Sequence, residues 1–239
     1  MKLDLLAFAA HPDDDELSCM GTLLKHIAAG QKAGIVDLTR GELGTRGTPE
    51  TRAEEAAEAT RIAGLHAREN LGLADGFFQI DQPSLLKIVA AIRKYQPEIV
   101  LANAVHDRHP DHGRGAKIVS EACFLAGLAQ VKTKAENGEK QTAWRPKQVY
   151  HYIQDRYITP DLIVDITAQW ETKQATIRAF RSQFFDPNSN EPDTYISSPE
   201  FMQFLEARAQ EMGHAIGVKY GEGFTKERHL GVNLLSDLL

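Results

Sequence analysis

Four short apolar runs, each followed by a helix-like stretch, constrain the first half of this chain more than any other feature. "LDLLAFAA" (3–10), "GIVDLT" (34–39), "RENLGL" (68–73) and "PEIVLAN" (97–103) have the length and composition of strands buried on both faces. Between the first two, Leu17, Met20, Leu24 and Ile27 recur at helical spacing with Lys25 and His26 on the opposite side. Thr48-Pro49 reads as an N-cap followed by proline in the first turn, opening a helix to about Leu65. Further helices are expected from Pro83 to about Arg93 and from Gly113 to about Leu128. Strand and helix alternating in this way predict an α/β fold, a mostly parallel, Rossmann-like sheet sandwiched by helices.

Beyond residue 130 the alternation changes. "KTKAENGEKQT" (132–142) is polar and turn-rich, "QVYHYIQD" (148–155) and "DLIVDIT" (161–167) are strand-like, and a helix is expected over about 168–183. Residues 184–199 form a long loop with three prolines, and a last helix runs from about Pro199 to Ala215. We read one domain over 1–239, with a core over 1–130 and a C-terminal elaboration of strands, loop and helices over 131–239.

The net charge of −6 argues against nucleic acid or an anionic membrane as partner, since both require a basic footprint. No apolar run reaches the ~20 residues of a membrane helix, and the N-terminus does not read as a signal peptide. Cys19 and Cys123 make neither a disulfide framework nor a Cys-x-x-Cys zinc site, and they read as small buried residues in a reducing cytoplasm.

Ligands of open parallel sheets bind beyond the carboxyl ends of the strands. "AHPDDDE" (10–16) stands at the end of the first strand, and "AVHDRHPDHGRG" (104–115) stands at the end of the fourth. Acids at a helix start need no site to explain them. His11 before a proline, three residues from Asp14, is harder to explain that way, because a tight turn lets the two share a metal. A hydrolytic zinc wants one more protein ligand, and His106, His109, Asp111 and His112 crowd the second cluster. Two His- and Asp-rich clusters at equivalent strand ends make a metal site the better reading.

With both motifs in view, the chain resembles the PIG-L-type (LmbE-like) zinc-dependent N-acetylglucosaminyl deacetylases, whose first motif is His-Pro-Asp-Asp-any-Glu. "LTRGELGTRGTPETRAEEA", "RENLGLADGFF", "RKYQPEIVL", "WRPKQVYHYIQ", "RSQFFDPNS" and "GVKYGEGFTKERHL" are similar to its bacillithiol-biosynthesis branch, and the likeness spans nearly the whole chain. The resemblance implies one Zn²⁺ per chain held by His11, Asp14 and His112, with Asp13 as general base. It implies that His109, as an imidazolium, stabilises the oxyanion, with Asp111 beside it holding its orientation and charge. Asp111 has a plainer reading as a cap of the helix at Gly113. It further implies a small-molecule N-acetylglucosaminide substrate, namely the N-acetylglucosaminyl-malate precursor of bacillithiol, with release of acetate, and a homo-oligomer.

Other residues divide less sharply. Asp15 occupies the family's variable position and is expected to face solvent, and Glu16 is expected to brace the backbone. Arg52 shares the inward face of its helix with Ala56, Ala59 and Ala63, so it either pairs with a core acid or faces the pocket. Arg46 and Arg108 are candidate substrate contacts or surface charges, and Tyr195 is a lid residue or plain packing. His151 and Arg156 lie near a strand end with no role assigned, while His26, His66, His214 and His229 read as structural or surface residues. The competing functions are an amidase of another N-acetyl sugar or thiol conjugate, a sugar-nucleotide-binding module, and a Mg²⁺ phosphohydrolase. The first strand-to-helix turn lacks the glycines that let backbone approach a pyrophosphate, and imidazole ligands favour zinc over magnesium.

Overall fold

A computed structural model describes residues 1–184 and 189–237. Residues 185–188 of the expected long loop lie outside them. Seven strands form one sheet: β1 Leu5–Ala9, β2 Ala33–Thr39, β3 Ala67–Leu73, β4 Ile99–Ala102, β5 Gln148–Tyr152, β6 Leu162–Asp165 and β7 Gly221–Lys226, in the spatial order β3-β2-β1-β4-β5-β7-β6. The first five are parallel, and β7 runs antiparallel to both β5 and β6. Around them lie α1 Asp14–Ser18, α2 Met20–Ala28, α3 Pro49–Ala63, α4 Gln82–Tyr95, α5 Pro110–Ala126, α6 Trp170–Ala179 and α7 Pro199–Ala215.

Every residue of β1 is buried. Its side chains alternate between two cores, as the two-residue period of a strand requires. Leu6 and Phe8 join Val36, Ile88, Ile92 and Ile118 on one face, while Leu5 and Ala7 join Met20, Leu23, Ile35 and Tyr152 on the other. A third cluster, with Ala59, Ile177, Phe180 and Phe201, welds α3, α6 and α7 into the outer wall of the site.

Several local details differ from the sequence reading. The stripe from Leu17 to Ile27 is split between α1 and α2 at Cys19, whose φ and ψ of −134° and 6° leave the helical region. α5 begins at Pro110 rather than Gly113, so Asp111 and His112 lie in its first turn. The sequence pattern does not mark β7 as a strand, because Gly221 and Gly223 depress strand propensity. Both glycines are demanded by packing: a Cβ would stand 2.7 Å from Ile163 at Gly221 and 2.8 Å from Met212 at Gly223.

Candidate metal centre and active site

The strand order reverses direction at β1, whose neighbours β2 and β4 send their connections to opposite faces. Beyond the carboxyl ends of β1 and β4 lies a cavity of about 230 Å³, lined among others by His11, Asp13, Asp14, His109 and His112.

Asp14 is the hub. Its Oδ1 lies 3.1 Å from His112 Nε2 and its Oδ2 lies 3.5 Å from His11 Nδ1. Gln154 Nε2 donates to Oδ1 at 3.0 Å, and Asn103 Nδ2 and the His11 backbone N–H donate to Oδ2 at the same distance. Each imidazole has its far nitrogen on a carboxylate. His112 Nδ1 is 2.5 Å from Asp107, and His11 Nε2 is 3.1 Å from Asp75 and 3.5 Å from Asp111. A histidine that ligates a metal is oriented by just such a carboxylate behind it. Two rings backed in this way and converging on one buried carboxylate fit a divalent metal. Ligand atoms of His11, His109 and His112 also lie within 4.8 Å of one another, as do those of His11, Asp75 and Asp111.

Burial opposes every charge in this cluster, and the pairings overcome it. The carboxylates hold His11 well above its usual pKa and His112 at about 9, while the two rings hold Asp14 well below the usual carboxylate range. Burial also acts against Asp75, yet hydrogen bonds from His11 and the Leu43 N–H bring it down to about 2.

Asp13 has a φ of 115°, in the left-handed region that favours glycine. Such strain costs of order 1–3 kcal/mol and persists only where the surroundings impose it. Arg52 does so here: its Nη2 donates to Asp13 Oδ2 at 2.9 Å and to the Pro12 carbonyl. Arg52 therefore both pairs with a core acid and lines the cavity. Gly41 makes room for it, since a Cβ there would strike the guanidinium. Burial, with the Asp14 charge behind it, pushes Asp13 up to about 7 against the pull of Arg52.

His109 is the N-cap of α5, and its Nδ1 accepts from the Asp111 N–H at 3.2 Å. With Nδ1 an acceptor, the ring is the neutral tautomer that carries its proton on Nε2. Burial and the charged rings of His11 and His112 push its pKa down, against the expectation of an imidazolium. Asp111 orients His109 through its backbone, whereas its carboxylate serves Gly76 N–H, Arg114 and His11. It does not cap the helix.

Of the other expected site residues, Arg108 lines the cavity, with its guanidinium over the Tyr195 ring at 4.5 Å. Tyr195 is 54% exposed at the rim. Arg46 is turned away, bonded to Glu191 at 3.3 Å and Ser189 at 2.6 Å, because a buried guanidinium needs a counter-charge. Glu16 braces the turn through Arg68, 2.6 Å away, which also grips Asp37 with two nitrogens. Asp15 does not face solvent. It is fully buried because α1 runs beneath α6, its carboxyl is held well above the usual range by burial, and Cys19 Sγ donates to it at 3.4 Å. His151 is buried between the Asn103 carbonyl and Glu227, and Arg156 Nη1 lies 2.8 Å from His106. Sequence patterning does not single out Asp75, Asp107, Asn103 or Gln154 as site residues. Asp107 stands inside the second cluster, and its place five residues before His112 is the available signal.

A family model for GlcNAc-PI de-N-acetylases, PIG-L, matches residues 6–123, the stretch that carries both clusters. The fold is similar to the crystal structure of the conserved protein TT1542 from Thermus thermophilus, with 37% identity over 97% of this chain and 98% of that one, and a TM-score of 0.84. The chain belongs to the PIG-L family. Among its relatives is a 4-oxalmesaconate hydratase of Pseudomonas putida, 27% identical over 74% of this chain and 73% of the relative. Another is a probable N-acetyl-alpha-D-glucosaminyl L-malate deacetylase 2 of Bacillus anthracis, 28% identical over 47% of this chain and 55% of the relative. As a PIG-L protein the chain is an enzyme, a hydrolase of the deacetylase and amidase type. Among the described residues no helix is long and apolar enough to cross a membrane.

Proposed function

We propose that the protein hydrolyses the N-acetyl group of an N-acetylglucosamine conjugate, releasing acetate, with one zinc ion per chain. The substrate we favour is N-acetylglucosaminyl-malate, in bacillithiol biosynthesis in the cytoplasm, and the working assembly is a homo-oligomer. The observation that carries the reading is the convergence of two carboxylate-backed imidazoles on Asp14, with Asp13 next to it on the cavity wall. His11, Asp14 and His112 hold the metal in this reading, and imidazole donors favour zinc.

When bound, zinc supplies Lewis-acid activation of water and of the amide carbonyl. Asp13 takes the proton from the attacking water and returns it to the leaving amine as the C–N bond breaks. Arg52 holds that carboxylate in place through the contact at 2.9 Å. His109, oriented by the Asp111 N–H, turns its Nε2 proton to the developing oxyanion. Arg108, on the cavity wall, contacts the part of the substrate beyond the sugar.

Acetate release and zinc content measured on the same samples test this division of labour. Asp13→Ala should lose roughly 10²–10⁴-fold in turnover while keeping zinc, and His112→Ala should lose both. Equal zinc loss in the two variants refutes the separate roles. Zinc-loaded protein that releases no acetate from any N-acetylglucosaminide overturns the reaction, and consumption of a conjugated dicarboxylate instead would ally it with the hydratase relative.

A further inference from the structure

Arg208, on α7, has no part in the chemistry above, yet it lines the same cavity as Asp13 and His109. Its Nη1 is buried without any hydrogen-bond partner. Among the described residues no carboxylate stands within ion-pair distance of it, and its close contact is the Phe204 ring, 4.8 Å from the guanidinium carbon. A guanidinium never sheds its proton at physiological pH, so on this partly buried side chain the enclosed, unpartnered Nη1 is a standing cost to the fold.

Of the acids that act on Arg208 from a distance, Asp107 is committed, while Asp155 leans to Arg108 and keeps its buried Oδ1 without a hydrogen-bond partner. Asp155 faces Arg108 Nε at 3.6 Å, and Asp107 holds His112 at 2.5 Å and the Arg156 N–H at 2.7 Å. Two arginines thus share one carboxylate on this wall, leaving an excess positive charge. Rings link them: Arg108 lies over Tyr195, Tyr195 meets Phe201 edge-on at 5.5 Å, Phe201 is 6.4 Å from Phe204, and Phe204 carries Arg208. Aromatic faces keep a guanidinium flat and leave its edge free for a planar oxyanion.

We infer that Arg208, with Arg108, forms a carboxylate-recognition subsite on the wall of the cavity, which selects glucosaminides whose aglycone is an acid. The inference rests on the deacetylase reading only for the sugar half of the ligand. A carboxylate supplies the charged acceptor that the chain itself withholds, and charge-assisted pairs with arginine are the strong hydrogen bonds of proteins. Hydroxyl groups of a neutral aglycone would leave the excess charge uncompensated.

The test uses full-length zinc-loaded protein and two deacetylated probes that cannot be turned over, α-glucosaminyl-malate and methyl α-glucosaminide, titrated calorimetrically. Wild type should prefer the malyl probe, and Arg208→Met should reduce that preference by roughly 10-fold to 100-fold. Arg208→Lys, which keeps the charge and much of the stem, should keep part of the preference and guards against a Met variant that fails to fold. A wild type without preference, or an Arg208→Met protein that weakens both probes by one factor or neither, overturns the subsite. Arg208-dependent preference in a protein that releases no acetate from the N-acetyl forms supports the subsite and refutes the reaction.

Discussion

Asp107→Asn isolates what a carboxylate behind a ligand histidine contributes. The wild-type side chain is fully buried, with Oδ2 at 2.5 Å from His112 Nδ1 and Oδ1 accepting the Arg156 N–H at 2.7 Å. Asparagine keeps the shape but has a single acceptor oxygen. If that oxygen faces His112, the amide NH₂ is pressed against the Arg156 N–H; if it faces Arg156, the NH₂ meets the imidazole proton. Either way one buried donor loses its partner, which costs about 1–3 kcal/mol. At ~2–4 °C per kcal/mol for a domain of this size, the metal-free protein should melt several degrees lower. The ring also loses the negative charge that makes its Nε2 a better donor to metal, and changes of this kind typically cost roughly 10- to 100-fold in affinity. Competition against a chromophoric zinc chelator reads the affinity, and melting of the metal-free protein reads the packing loss separately. A folded variant whose zinc affinity stays within about threefold of wild type would remove Asp107 from the site and leave it a structural acceptor.

Two further outcomes follow from buried groups remote from the cavity centre. Glu222 accepts from the Gly21 and Thr22 N–H groups at 2.9 and 2.7 Å and from the buried Lys173 at 2.5 Å. Glu222→Leu strands that lysine and should cost about 3–5 kcal/mol in urea unfolding. Adding Lys173→Met should restore part of the loss, and strict additivity of the two changes would refute the pairing. Burial raises the pKa of both Cys19 and Cys123, so neither should react with Ellman's reagent at about pH 8 until denaturant is added. Prompt labelling of the native protein would contradict the burial.

The centre of the sheet is legible in the sequence because β1, β2 and β4 are continuous apolar runs between helical stripes, whereas β3 is only partly buried and β7, with its two glycines, carries no such signal. His11, Asp14 and His112 come together in the fold because their two clusters sit at the ends of adjacent strands, a relation that topology rules supply without coordinates. Asp75 and Gln154 carry no comparable signal: one acid after β3 and one amide after β5 look like ordinary loop chemistry until the loops close on Asp14 and His11. Asp15 misleads for a related reason. Consecutive acids at a helix start resemble a solvated face, and only the packing of α6 over α1 shows that this carboxyl is enclosed. A cationic His109 is the natural expectation while Asp111 is its near neighbour in sequence. The first turn of α5 sends the Asp111 carboxylate toward Gly76 and Arg114 instead.

The position of β7 bears on how the protein is born. Among the described residues β6 pairs with β7 alone, and β7 wedges between β5 and β6 although it is made after both. A chain leaving the ribosome therefore assembles its five parallel strands while β6 waits without a neighbour. Insertion of residues 221–226 then closes the sheet and delivers Glu222 to the start of α2 and to Lys173 in one event. The wall that carries Arg208 precedes that strand and packs against it, so the cavity acquires its finished shape only after residues 221–226 have been made. Nascent chains halted before Gly221 should hold the metal ligands in a sheet with an open edge, a form suited to chaperone capture rather than to turnover.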